Sequence, residues 1–454
     1  MAQISHNAAR PVDCDPLSIQ RGVRQRLADK ISDNMAGLWL LVPEHLRLGT
    51  WDLLRAWTGE ADERMEPRLA LQLVHEAALC SNGLRAGRCL TLRGFETLNG
   101  LPFLIGDTAV HGVLDAHTVA DAEKLQVALG KLRRASGHYV GELLLIDPHR
   151  APSSTQRHVR KRTKDRGSKP IKTAQTFFCL DGDSREPLCF TTANSARTVS
   201  QATPELLRMA AEILAPLPPH PLVAADTEHF TAELFDHVRR ETPFDLIVPL
   251  PHRKCDQRRW RQVPVEDFTR RWAGYATAVV PFMPHDSRNG PYSELVQRLG
   301  ERPDDLDFRS FLSTTDRNPV EALTGQYPKR WHLEEFYNFN QSLGWRRAGT
   351  MNLNIRYGQM TMALLAETVI HQFRRRLGDP FNTWDAQHMA SAIFRGLEGD
   401  IRVRGDTIVV TYYNAPNKER LREQYENLPA KLTAEGVDPR IPWLYGFQLD
   451  FCFQ

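Results

Sequence analysis

A chain of 454 residues is long enough for roughly two to four domains. Its 41% hydrophobic and 25% charged residues exclude a disordered or low-complexity protein, and a net charge of only +3 excludes polyanion binding by overall charge. No apolar run approaches the length of a membrane span and the N-terminus lacks an apolar signal core, so we expect no membrane partner and a cytoplasmic location. In chain order, residues 1–35 are polar, and about 36 to 136 follow a helical pattern. Short helices are predicted over Pro43–Leu48 and Trp51–Trp57, with a longer one over Arg68–Leu79 that stops at Asn82-Gly83. Another runs from Val119 to Ala135, with basic residues in its last turns where the helix dipole favours them.

At Leu143 to Ile146 the texture changes to a continuous apolar run, the mark of a strand buried on both faces, and it ends in Asp147. Residues 150–173 then read as a basic loop carrying Arg157, Arg160, Arg162 and Lys164, a candidate phosphate binder or simply a solvated linker. Thr176–Leu180 and Leu188–Thr192 form a predicted hairpin. Pro204–Leu214 is an amphipathic helix with proline in its first turn. Pro221–Ala225 is a second apolar strand, ending in Asp226; a helix to about Arg240 and a strand over Phe244–Leu250 follow. This order predicts a mixed sheet flanked by helices, with both aspartates at carboxyl ends of buried strands, where open α/β sheets place their ligands. Each aspartate also has a plainer use, Asp147 starting a turn before Pro148 and Asp226 capping a helix.

A second basic cluster, Arg253 to Arg261, encloses Trp260 and suits either a nucleic-acid backbone with one unstacked base or a surface strand. Strands are predicted at Tyr275–Phe282 and Phe308–Thr314. The segment Tyr327–Gln341, read as a helix, gathers Tyr327, Arg330, Glu334 and Gln341 within roughly 60° of one another. Leu333, Phe336, Phe339 and Leu343 collect on the opposite side. The polar column is either a solvated face with an Arg330–Glu334 pair or a carboxylate for a divalent metal beside a guanidinium for phosphate. Three carboxylates from two strands and one helix are what a paired-metal site requires. Met351–Leu377 reads as a long helix, Ile401–Tyr412 as a hairpin turning on Gly405-Asp406, and Asn417 to about Leu428 as a short helix.

The seven cysteines are scattered and never spaced as Cys-x-x-Cys, which argues against a disulfide framework and a structural zinc site. No phosphate loop, His-Glu-x-x-His helix or Gly-x-Ser-x-Gly elbow occurs. Asp147-Pro-His149 and Asp226-Thr-Glu-His229 also permit a His/Asp hydrolase centre holding zinc or iron.

Tyr327-x-x-Arg330-x-x-x-Glu334, followed seven residues later by Gln341, resembles the Tyr-Arg-Glu-Lys signature of DDE-type insertion-sequence transposases. The likeness covers about residues 138–378 and departs from the pattern at Gln341, which stands where the family has lysine, and after Asp147, where Pro-His replaces Gly-Thr. It implies a ribonuclease-H-like mixed sheet with a mostly β insertion. Asp147, Asp226 and Glu334 would hold two Mg²⁺ ions, for which Mn²⁺ would substitute. Tyr327, Arg330 and Gln341 would contact DNA, and Trp260 would stack a flipped base. The implied partners are terminal inverted repeats and target DNA, with a homodimer on paired ends as one assembly. The implied segments are a helical N-terminal domain at 1–137, core at 138–244, insertion at 245–326, core again at 327–378 and an extension at 379–454. A stand-alone Mg²⁺-dependent nuclease and a catalytically silent DNA-binding descendant are the alternatives.

Overall fold

The computed structural model describes residues 15–33, 35–59, 65–80, 93–153, 155–156, 161–162, 169–194, 196–302, 305–345, 350 and 352–454. The chain forms two compact units, one of residues 114–364 and the other of residues 1–113 together with 365–454.

The unit of residues 114–364 is built on one ten-stranded sheet among the described residues. Its strands are β1 (Leu143–Pro152), β2 (Lys161–Arg162), β3 (Ile171–Asp181), β4 (Pro187–Asn194), β5 (Leu222–Ala225), β6 (Asp245–Pro249), β7 (Thr269–Trp272), β8 (Tyr275–Phe282), β9 (Tyr292–Leu299) and β10 (Asp307–Ser313). The central order is β4-β3-β1-β5-β6. β4, β3 and β1 form an antiparallel meander, and β1, β5 and β6 run parallel. Leu143–Ile146, Leu222–Ala225 and Asp245–Val248 are fully apolar or buried because helices cover the sheet. One face packs on α1 (Val119–Ala135), α2 (Val199–Leu214), α3 (Ala232–Glu241) and α4 (Lys254–Arg261) through residues such as Ile146, Val223, Leu207, Ile213 and Phe235.

Several boundaries differ from the sequence reading, each for a local reason. β1 continues through Asp147 to Pro152, and β3 begins at Ile171, so strand pairing takes up both ends of the expected 150–173 loop. α2 starts at Val199, one turn before Pro204, because Thr198 and Gln201 form a reciprocal capping box; Pro204 lies inside the helix. The 253–261 cluster is a helix, not a strand. The segment after β6 is no separate body: β10 pairs antiparallel with β6, and β9, β8 and β7 extend the same sheet.

The other unit joins segments far apart in sequence. Ile31–Asp33 pairs antiparallel with Gly399–Arg404, which pairs with Thr407–Tyr412, which runs parallel to Gln448–Phe453. The N-terminal helices and the C-terminal extension thus share one core. It contains His45 and His75, both buried, with ring centroids 5.1 Å apart. Burial, with the neighbouring His75, holds His45 well below the usual imidazole range. Burial also lowers His75 to about 4 against its hydrogen bond to Asn99. Depressed bases stabilise the fold fully above their unfolded value near 6.5 and lose that contribution as pH falls through the folded value. Melting temperature should therefore drop between pH 6.5 and 4, and His75→Gln should flatten that slope in thermal melts across the range.

Candidate active site

The parallel register of β1 and β5 ends at Ile146 opposite Ala225. The next residue of each segment is an aspartate, so topology alone sets Asp147 and Asp226 side by side: Asp226 just past the carboxyl end of β5, and Asp147 midway along β1, not at its end as expected, where the pairing with β5 stops. In the antiparallel direction Asp147 faces Phe178 of β3. Phe178 packs on Phe336 and Tyr337 with ring centroids 5.4 and 5.7 Å away. Those rings belong to α5 (Trp331–Asn340), which follows a 3-10 turn over Tyr327–Arg330. The expected helix is therefore present as a tight turn plus an α-helix, docked on the sheet by aromatic packing. The Tyr337 hydroxyl donates to the Asp147 carbonyl at 3.1 Å.

The sheet-facing turn carries the charged groups. Arg330 Nη1 donates to Asp147 Oδ1 at 3.4 Å, and the Tyr327 hydroxyl donates to the Ala225 carbonyl at 3.4 Å. The Tyr327 ring meets Phe311 of β10 edge-on at 4.7 Å. Burial pushes the Tyr327 phenol up to about 12; Asp226 and Asp147 add to this and Arg330 opposes it. Of the two adjacent acids, Glu334 is the one whose charge is felt at Asp147 and Tyr337. Glu335 points elsewhere and pairs with Arg185 at 3.2 Å. With Lys329 on Asp183 at 2.5 Å and His332 Nδ1 on the Gly182 carbonyl at 2.8 Å, this pairing grips the helix from the β3–β4 turn.

The two aspartates are held in opposite electrostatic states. Asp147, with a side chain only 15% exposed, is pushed up to about 7 by burial and by the charges of Asp226 and Glu334, against Arg330 and Arg150. Burial acts on Asp226 too, though its side chain is 28% exposed, and His229 Nδ1 at 2.8 Å, Arg330 and the Glu228 N–H bring its carboxyl below the usual range. Asp226 caps the short 3-10 turn Thr227–His229 through Oδ1, while the following helix, which it was expected to cap, is capped by Thr231. The Asp147, Asp226 and Glu334 carboxylates share this field without three of their oxygens lying within 4.8 Å. An ion pair about 4 Å apart with ligand bonds near 2 Å spans roughly 8 Å, so direct contact among the acids is not required.

Other candidate residues fare differently. Gln341 lies in a 3-10 turn after α5, two turns from the acids, with its Oε1 buried. Trp260 is a correction: it is fully buried in α4, and its Nε1 donates to Glu294 Oε1 at 2.7 Å. Glu294 is itself fully buried and also accepts from Arg259 and from Ser310 Oγ at 2.6 Å. Trp260 cannot stack a base; it satisfies a buried acid. Replacing Trp260 with Phe should cost about 1–3 kcal/mol in urea unfolding, since it removes one donor from a buried carboxylate. The exposed indole of this region is Trp272 of β7, 49% exposed and stacked on Tyr275 at 4.3 Å beside Arg270 and Arg271. Arg157, Arg160 and Lys164 lie outside the described residues, and Arg162 is described only as backbone in β2, where it pairs with Ile171.

Sequence reasoning missed Tyr337 and Arg150 and read His229 only as a metal ligand. Tyr337 sits three residues after Glu334 on a helix, so spacing alone could have placed it near Asp147. His149, the other histidine of the hydrolase reading, packs its ring against Tyr337 at 4.5 Å, while His229 is engaged with Asp226.

Comparison with family models and with curated proteins finds no match. Among solved structures the chain is similar to a piggyBac transposase synaptic complex with hairpin DNA, at 11% identity and a TM-score of 0.42, over 81% of this chain and 82% of that one. Neither figure is high enough to carry fold or function from that protein to this one.

Proposed function

We propose that the chain is a DDE-type transposase that cuts and joins DNA at the ends of a mobile element, on a ribonuclease-H-like core. The observation that carries this reading is the convergence at Asp147: a neighbouring strand end brings Asp226, and the 3-10 turn and the first turn of α5 bring Arg330 and Glu334. The mixed sheet, of central order β4-β3-β1-β5-β6 with an antiparallel meander followed by parallel strands, is compatible with such a core. The donor set suits hard cations, because all three groups are carboxylates; burial first, and then the charges of Asp226 and Glu334, already raise Asp147. Asp147, Asp226 and Glu334 would hold two Mg²⁺ ions. When bound, the ions supply activation of a water or 3′-hydroxyl and neutralise charge on the leaving oxygen.

The chain's own residues do the positioning. Arg330, already turned toward Asp147, would hold a phosphate beside the acids in forked geometry. Tyr327 stays protonated at neutral pH and would donate to another phosphate oxygen. Tyr337 fixes the Asp147 backbone from below. Trp260 is buried and unavailable to an unpaired base; among the exposed indoles, Trp272 and Trp331 would be free to stack one.

Incubating the protein with labelled terminal DNA, Mg²⁺ and a supercoiled target plasmid tests the reading. Joined products with the 3′-end of the labelled strand in the target support a transposase. Cleavage without joining favours a stand-alone nuclease, and binding with neither favours a silent descendant.

A further inference from the structure

Arg150 stands three residues beyond Asp147 on β1, and its setting is that of a phosphate ligand held ready. Its Nε donates to Gln175 Oε1 at 3.2 Å. Gln175 is itself buried and pinned, its Nε2 donating to the Asn194 and Arg197 carbonyls at 2.7 Å each. The plane and direction of the guanidinium are thus fixed from behind. Both terminal nitrogens end on Glu228, Nη1 to Oε1 at 3.0 Å and Nη2 to Oε2 at 2.5 Å. Glu228 lies two residues past Asp226, and its backbone N–H donates to Asp226 Oδ1 at 3.1 Å. The pair therefore links the two segments that carry the aspartates, and the Arg150 charge reaches Asp147 and Tyr337.

We infer that Arg150 is a second phosphate-positioning residue, resting on Glu228 until a DNA phosphate takes the carboxylate's place. The assignment rests on the nucleic-acid reading above. Three physical points carry it. A carboxylate and a phosphate present the same forked acceptor to a guanidinium, so one can replace the other without moving Arg150. The carboxylate side chain is 43% exposed and the guanidinium 29%, so solvent screens their attraction and exchange is cheap. Arg330 approaches Asp147 from the helix side, whereas Arg150, three residues along β1 and so on the opposite face of that strand, reaches over to the Asp226 loop; the two cations come from different elements.

The test uses a fluorescein-labelled DNA duplex of arbitrary sequence, with Ca²⁺ present to suppress cleavage, and reads anisotropy across a KCl series. Arg150→Ala should weaken binding about tenfold and reduce the slope of log affinity against log salt by roughly one. Arg150→Lys should restore the slope and part of the affinity, because it keeps the charge but not the fork. Glu228→Gln should tighten binding about threefold with the slope unchanged, since the competing anion is gone. Matching thermal melts separate these effects from loss of fold. Wild-type affinity and slope in both Arg150 variants would overturn the assignment while leaving the nucleic-acid reading intact. A wild-type protein that binds no DNA would overturn both.

Discussion

Asp147→Asn, Asp226→Asn and Glu334→Gln are each expected to reduce Mg²⁺-dependent DNA cleavage by about a thousandfold or more, while DNA affinity changes by less than about threefold. The physical basis is that a shared ion cluster needs every anionic ligand, whereas binding is dominated by cation–phosphate contacts that these changes leave in place. The control is built into the helix. Glu335 is adjacent in sequence to Glu334, yet it pairs with Arg185 on the far side, so Glu335→Gln should cleave at close to the wild-type rate. Gel assays of a labelled substrate, run with anisotropy on the same preparations, decide the matter. Cleavage that survives in any one of the three variants removes that residue from the site. Loss in Glu335→Gln with retention in Glu334→Gln would transfer the role one position along.

The second large effect concerns the protein without metal. Asp147 is held near 7 in the fold against 3.8 for an unperturbed aspartate, so its ionised form is less favourable folded than unfolded. A raised carboxyl leaves stability complete below the unfolded value and removes it as pH climbs through the folded one. Three pH units at about 1.4 kcal/mol each set an upper bound near 4 kcal/mol, and partial exposure makes about 2–4 kcal/mol the expected range. Asparagine has the same shape and cannot ionise. Asp147→Asn should therefore raise the melting temperature of EDTA-treated protein by several degrees at pH 8, with almost no change at pH 4. A loss of stability at pH 8 would show that the Arg330 pairing outweighs the repulsion from Asp226 and Glu334. Saturating Mg²⁺ should reverse the order of the two proteins, because bound cations stabilise only the form that binds them.

These two outcomes are linked through one structural fact, the crowding of like charge at the end of a buried parallel pair. Sites arranged for catalysis commonly carry such local destabilisation, which a bound ligand then relieves. The second aspartate shows how the same neighbourhood can be tuned the other way. His229 and the Glu228 N–H give Asp226 partners that Asp147 lacks, so one acid is ionised at all working pH values while the other gains and loses a proton near neutrality.

Much of the central sheet was legible in the sequence because its strands are continuous apolar runs that can be buried only between layers. Leu143–Ile146 and Leu222–Ala225 announce themselves, and with them the position of each following aspartate. The polar column from Tyr327 to Glu334 was legible for a similar reason, since helical spacing is a local property. Residues 292–299 were not legible, because their strand carries Glu294 in its interior, and a buried carboxylate looks like a surface residue until its partners are known. Those partners, Arg259, Trp260 and Ser310, come from two other elements, and the same contacts turned Trp260 from a candidate base-stacking residue into a core one.

The sequence by itself determined which segments are strands or helices where apolar periodicity is strong, and that an aspartate follows each of two buried apolar runs. Only the tertiary structure decided that Ile31–Asp33 pairs with Gly399–Arg404, that β6 continues into the outer strands, that Asp147 rather than Asp226 carries the raised carboxyl, and that Arg150 rests on Glu228. Periodicity reports what a residue's own neighbours in the chain require. Charge state, burial of a polar group and long-range strand pairing depend on groups brought together from distant positions, and no local pattern records them.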